Sequence, residues 1–202
     1  MQTRVLSLAR EPKAALDAAL QIVRSGGIIL FPTESVYGLG VDSARSDAIE
    51  RLYKLKGRPR KKPFQWLASD IDSARLASKG WDEQAEKLAR AFWPGPLTLV
   101  VPTHRGRTIG WRVPRHAWLL EFLRRLGRPL AATSANPAGK PAPKTFKTAL
   151  RPFLNAIELA LDEGAIESGT ASTVVALKLS RIQILRHGAI SEKAIRKAIA
   201  DE

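Results

Sequence analysis

Short, unbroken apolar runs alternate along this chain with segments of helical periodicity. The runs Gly27-Ile28-Ile29-Leu30-Phe31 and Leu97-Thr98-Leu99-Val100-Val101 are strand-sized, and neither shows the in-out alternation of a half-solvated strand. Such runs belong to strands covered on both faces. Ahead of the first run, Leu16, Ala19, Leu20 and Val23 fall at i, i+3, i+4 and i+7, and Gly26-Gly27 stops that helix. Further helices are expected over 47–56, around Ala85, Leu88, Ala89 and Phe92, around Leu119, Phe122, Leu123 and Leu126, and from Ser191 onward. Strands are expected at 28–31, 63–68, 97–101, 108–113, 129–133, 157–161, 173–177 and 182–186, with 33–40 and 134–144 read as loops. This alternation argues for an α/β domain. No linker separates two parts, so one domain over 1–202 is expected.

Bulk properties narrow the function classes. No apolar run reaches membrane-spanning length, and the N-terminal residues lack a signal-peptide core, so a cytoplasmic, membrane-free protein is expected. There is no cysteine, and His104, His116 and His187 are scattered, so no metal site built from protein side chains is expected. The net charge is +14. A field of that sign attracts nucleotides and RNA, and an Arg-rich solvated surface explains it as well.

Candidate functional residues gather where strands end. In the helix over 47–56, Ile49, Leu52 and Tyr53 form an apolar stripe and Lys56 falls on it at i+7. A lysine there either snorkels to water or meets an anion. Arg58 and the run Arg60-Lys61-Lys62 follow, a cationic turn suited to phosphates. Thr33 lies just past the first buried strand, where open α/β sheets take ligands; a turn threonine is the plainer alternative. In the strand over 108–113, Ile109, Trp111 and Val113 share one face, leaving Arg112 beside Gly110 on the other. That suits either a cavity wall gripping a carboxylate or phosphate, or a solvated edge strand. Ser134-Ala135-Asn136 follows another strand among small residues that admit a ligand close to the backbone, or forms an ordinary turn. Ser172 precedes the strand at 173–177, and Arg186 ends the last strand. There is no P-loop, no dinucleotide-binding fingerprint and no nucleophile elbow. Cations and small hydroxyls without a nucleophile point to catalysis by positioning and charge stabilisation.

Seven segments, spanning 26–40, 56–64, 93–100, 109–114, 132–139, 171–175 and 184–190, occur in the order seen in the YrdC-like family, the threonylcarbamoyl-AMP synthases, which the chain resembles from about residue 12 to 191. The family's K-x-R and S-x-N signatures stand here as Lys56/Arg58 and Ser134/Asn136. The resemblance implies a twisted mixed sheet with flanking helices around a large open cavity. It implies that L-threonine, bicarbonate and ATP, with Mg²⁺ carried by ATP, give threonylcarbamoyl-adenylate and pyrophosphate. A downstream transferase complex then modifies adenosine 37 of tRNA. By similarity, Thr33, Arg112 and Ser172 would hold threonine, with Ala132 beside them. Lys56, Arg58, Ser134, Asn136 and Arg186 would hold ATP, with Thr108 on the same wall. Lys56, Arg58, Ser134 and Asn136 are the expected catalytic set.

Two departures stand out: no histidine follows Lys62-Pro63-Phe64, where some longer relatives have one near threonine, and His187 replaces a usual proline. The sequence ends soon after Arg186, which reads as the short, single-domain type. The competing reading is a double-stranded RNA- or tRNA-binding module of the same fold, without adenylate-forming activity. It rests on the basic surface, including Arg124-Arg125, but lacks a base-stacking motif. A family paralogue without the activity would be expected to lose K-x-R or S-x-N, and a carbamoyl-adenylate role needs attached domains.

Overall fold

A computed structural model describes residues 1–103, 107–178 and 181–200, the side chains of Lys178 and Arg181 excepted. The elements run β1 (Arg4–Ser7), α1 (Pro12–Arg24), β2 (Ile29–Phe31), β3 (Gly38–Asp42), α2 (Ser46–Lys56), β4 (Gln65–Leu67), α3 (Ile71–Leu76), α4 (Glu83–Phe92), β5 (Leu97–Pro102), β6 (Thr108–Arg112), α5 (Ala117–Leu126), β7 (Leu130–Ser134), α6 (Phe146–Leu150), a short 3₁₀ turn (Arg151–Phe153), β8 (Leu159–Asp162), β9 (Thr173–Lys178), β10 (Arg181–Arg186) and α7 (Glu192–Ala200). Among the described residues no helix is long and apolar enough to cross a membrane.

The strands form one sheet in the order β1-β8-β2-β3-β7-β4-β6-β5-β9-β10. It is mixed: β1/β8, β2/β8, β4/β6 and β5/β9 are parallel, while β2/β3, β3/β7, β4/β7, β5/β6 and β9/β10 are antiparallel.

The continuous apolar run at 28–31 is explained by what covers it. Ile29 and Phe31 pack with α1 and α5, through Leu16, Ala19, Leu119 and Phe122. Ile28 and Leu30 point the other way, into a cluster with Leu52 of α2, Ala149 of α6 and Phe153. Each fully buried Leu or Ile of this kind contributes about 2 kcal/mol of transfer free energy. A third cluster packs α4 and α7 on β5, β6 and β9 through Leu88, Ile195, Leu97, Leu99, Trp111 and Val175.

Several boundaries differ from the sequence reading by a residue or two, and one difference bears on the packing. Residues 38–40 are the start of a strand, not the end of a loop. β3 pairs with β2 in the register Phe31↔Gly38, Leu30↔Leu39 and Ile29↔Gly40. Glycine lowers strand propensity, which hid it. Gly40 has no room for a side chain without a shift of its neighbours, and Gly38 is tight. A Cβ on Gly40 would lie 2.6 Å from Leu130 Cδ2 and 2.8 Å from Phe31 Cε1, and one on Gly38 would lie 3.0 Å from Phe31 Cζ.

The strand β6 lies between β4 and β5, so Arg112 is on an interior strand and the edge-strand alternative falls away. On β5 and β6, alternate residues face away from the third core. Thr98, Val100, Thr108, Gly110 and Arg112 are left on the other face, which forms the wall of a cavity.

Candidate active site

The cavity encloses about 510 Å³. On its wall the structure brings together Thr33, Arg112, Ala132 and Ser172 with Arg58, Thr108, Ser134, Asn136 and Arg186, residues spread over more than 150 positions of the chain. Lys56 is the exception. It is 6% exposed and sits behind the wall.

Arg112 is buried at 2% exposure at the end of β6. Its Nη2 donates to Ser35 Oγ at 2.7 Å and its Nε to Gly95 O at 3.2 Å. Nη2 also lies 2.8 Å from Glu34 Oε1. That contact is off the line of a hydrogen bond, so both Glu34 oxygens are shut off from water with no donor. Thr33 is committed to the loop. Its Oγ1 donates to Val36 O at 2.7 Å and accepts from the N–H groups of Ser35 and Val36, both at 3.1 Å. The turn reading of Thr33 therefore holds alongside its place on the wall, since this turn presents Ser35 to Arg112.

A second network crosses the cavity floor. Arg186 Nη2 donates to Ser172 Oγ at 2.9 Å and to Ser172 O at 2.8 Å. Ser172 Oγ lies 2.9 Å from Thr98 Oγ1, which donates to Gln65 Oε1 at 3.1 Å. Because Thr98 spends its proton on Gln65, Ser172 donates to Thr98. Ser172 then has no proton left and meets a ligand as an acceptor. An ammonium or amine is the matching donor. Gln65 and Thr98 both line the cavity and were missed in the sequence, as was Lys140. The available signal was a polar residue inside an apolar strand run: Thr98 in 97–101 and Gln65 two residues before Leu67.

The Ser134-Ala135-Asn136 turn is densely bonded. Ser134 Oγ donates to Asn136 Oδ1, and Asn136 Nδ2 donates to Pro137 O at 3.1 Å and also to Lys140 O. Ala135 N–H donates to Tyr37 O at 2.8 Å. From behind, Lys56 Nζ donates to Ser134 O at 2.7 Å and to Asn136 O. Arg58 stands on the cavity side. It is anchored by Nε to Lys62 O at 2.7 Å and Nη2 to Pro63 O at 3.0 Å, with its guanidinium 5.5 Å from the Phe64 ring centroid.

The electrostatics are one-signed. Among the described residues no carboxylate forms an ion pair with Lys56, Arg58, Arg186 or Lys140. Burial, then the charge of Arg58, draws Lys56 down to about 8. Burial lowers Arg58. Burial, then the charges of Arg112 and Arg58, lowers Arg186. Each shift records a cation held without an anion, a cost that an anionic ligand would relieve. No group of three His, Cys, Asp or Glu that could hold a metal occurs among the described residues. His104 lies outside them, and His116 is engaged with Glu163 at 2.8 Å.

The chain is similar to known proteins over most of its length. The model of the Sua5/YciO/YrdC domain, described under the heading telomere recombination, matches residues 21–188. The threonylcarbamoyl-AMP synthase of Pyrococcus abyssi is 35% identical over 91% of this chain and 56% of its own length. That of Bacillus subtilis is 34% identical over 94% of this chain and 57% of its own. The chain thus spans little more than half of these relatives. A crystal structure of P. abyssi Sua5 complexed with L-threonine superposes with a TM-score of 0.90 at 33% identity, covering 98% of this chain and 61% of that one.

Proposed function

The chain belongs to the Sua5/YciO/YrdC family, and from that premise we propose that it condenses L-threonine, bicarbonate and ATP into threonylcarbamoyl-AMP, with release of pyrophosphate and water. The observation that carries the reading is the set of buried cations without carboxylate partners gathered on and behind one cavity wall.

In this reading the two networks divide the substrates. Arg112 takes the threonine carboxylate through its guanidinium fork, with Ser35 and Gly95 fixing the orientation of that fork. Ser172, acceptor-only, accepts a hydrogen bond from the threonine amino group. Gly110 and Ala132 leave room for the substrate beside them. The amine joins the carbon of bicarbonate and water leaves, giving an N-carboxylate. An oxygen of that carboxylate attacks the α-phosphorus of ATP, the bond to the bridging oxygen breaks, and pyrophosphate departs with its electron pair. Arg58 and Arg186 are placed to hold the phosphates. They stabilise the charge that grows on the leaving group, and no protein nucleophile is needed. Mg²⁺ in this reading arrives on the phosphate oxygens of ATP and supplies further charge neutralisation there. The product, a reactive mixed anhydride, would pass to a transferase acting on tRNA.

The test is pyrophosphate release with each substrate omitted in turn. Release only when threonine, bicarbonate and ATP are all present supports the reading. Release that ignores threonine, or salt-sensitive RNA binding with no release, overturns it.

A further inference from the structure

The K-x-R pair faces two ways. Gly57 takes the left-handed conformation at the C-terminus of α2, with φ 57°, and a Cβ there would meet nothing within 4 Å. This turn sends Arg58 to the cavity wall while Lys56 stays behind it. There Lys56 finds no carboxylate among the described residues. The Phe153 ring lies 5.9 Å from Nζ, and two backbone carbonyls take its protons. These are the carbonyls of Ser134 and Asn136, which bracket Ala135. Ala135 is itself tied by its N–H to Tyr37 O at 2.8 Å. The three ties fix the backbone of the turn, and the turn fixes which way the Ser134 hydroxyl and the Asn136 amide face.

We propose that Lys56 is a positioning residue that holds the Ser134-Ala135-Asn136 turn from behind by its two carbonyls and acts on the nucleotide through that turn, not by touching it. Two of the three ammonium protons are already engaged by these carbonyls, and Lys56 is not among the residues lining the cavity. Arg58 already occupies the cavity side of the same helix end. The cation is suited to this task because it donates to two carbonyls at once and strengthens both bonds by its charge. The inference rests on the nucleotide reading of the cavity, and its test separates the two.

The test has two parts, both on the full chain. The first is a double-mutant cycle on ATP affinity, measured by calorimetry for Lys56→Met, Ser134→Ala and the pair. A residue acting through the turn couples to it, so the double variant should bind at least about threefold more tightly than the product of the single losses. Additive losses would mean that the lysine contacts ATP independently, and the proposal would fail. The second needs no nucleotide. The side-chain amide signals of Asn136 in the ligand-free protein should move in Lys56→Met, because their anchoring turn is released. Unchanged signals would also overturn the proposal. If Lys56→Met does not fold, Lys56→Gln, which removes the charge and shortens the reach of the donor nitrogen, replaces it in both parts. A wild-type protein that does not bind ATP would refute the nucleotide reading, and the Asn136 signals would still decide the role of Lys56.

Discussion

Replacing Arg112 by methionine should separate the stability of this site from its binding. The guanidinium is buried, donates to Ser35 Oγ and Gly95 O, and among the described residues is the only cation paired with Glu34, whose oxygens are closed to water. Removing it leaves a buried carboxylate with no partner. Breaking a buried pair in this way costs about 3–5 kcal/mol. For a chain of this size each kcal/mol moves the unfolding midpoint by about 2–4 °C, so a drop of about 6–20 °C is expected. Adding Glu34→Gln removes the stranded charge and should restore most of that drop. Threonine binding should not return with it. Losing a charged hydrogen bond to the amino acid carboxylate costs about 1.5–3 kcal/mol, or about ten- to a hundredfold in affinity, in both variants. Thermal unfolding by circular dichroism and calorimetric titration with threonine read the two effects separately. An unfolding midpoint unchanged in Arg112→Met, or threonine affinity recovered in the double variant, would refute the reasoning.

Gly40→Ala should destabilise by about 1–3 kcal/mol through the clash of its Cβ with Leu130 and Phe31, read by denaturant titration; a neutral result would mean that β2 and β3 are not packed as described. Gly110→Leu should abolish substrate binding with a much smaller change in unfolding temperature, because its side chain grows from the wall, where Thr98 Cγ2 is 3.0 Å from the new Cβ; retained threonine binding would contradict that. Lys56 should make stability rise with pH between about 8 and 10.5. Burial depresses its folded pKa to about 8 from the ordinary 10.5, so the unfolded chain binds the extra proton across that window. Tyr37, raised to about 12 from 10.0 by burial, should make stability fall between about 10 and 12, and a pH series of wild type and Lys56→Met that shows no difference below about 10 would refute the Lys56 assignment.

The sequence carried the elements further than it carried the site's connections. The run at 28–31 was legible because helices cover both faces of β2, and the stripe of α2 was legible because Leu52 packs inward. That stripe left Lys56 either snorkelling to water or meeting an anion, and it does neither: it is buried against two backbone carbonyls. The carbonyls it meets lie 78 and 80 residues away, on a turn whose place depends on β7 pairing with β3. Gly38 and Gly40 hid a strand because their reason is Phe31 and Leu130, a packing fact. β1, α3 and α6 span four to six residues each, too short for a periodic pattern. Arg112 beside Gly110 left two readings open, and the position of β6 between β4 and β5 settled them. Glu34, Gln65 and Thr98 matter through partners from distant strands, which no local spacing announces.

The central claim is that one cavity joins three substrates into a mixed anhydride. Labelled bicarbonate tests it most directly. Incubation with ATP and threonine should move the label into a product that carries both AMP and threonine, and omitting threonine should leave the nucleotide unlabelled. Label absent from any AMP-containing product in the complete mixture would contradict the account.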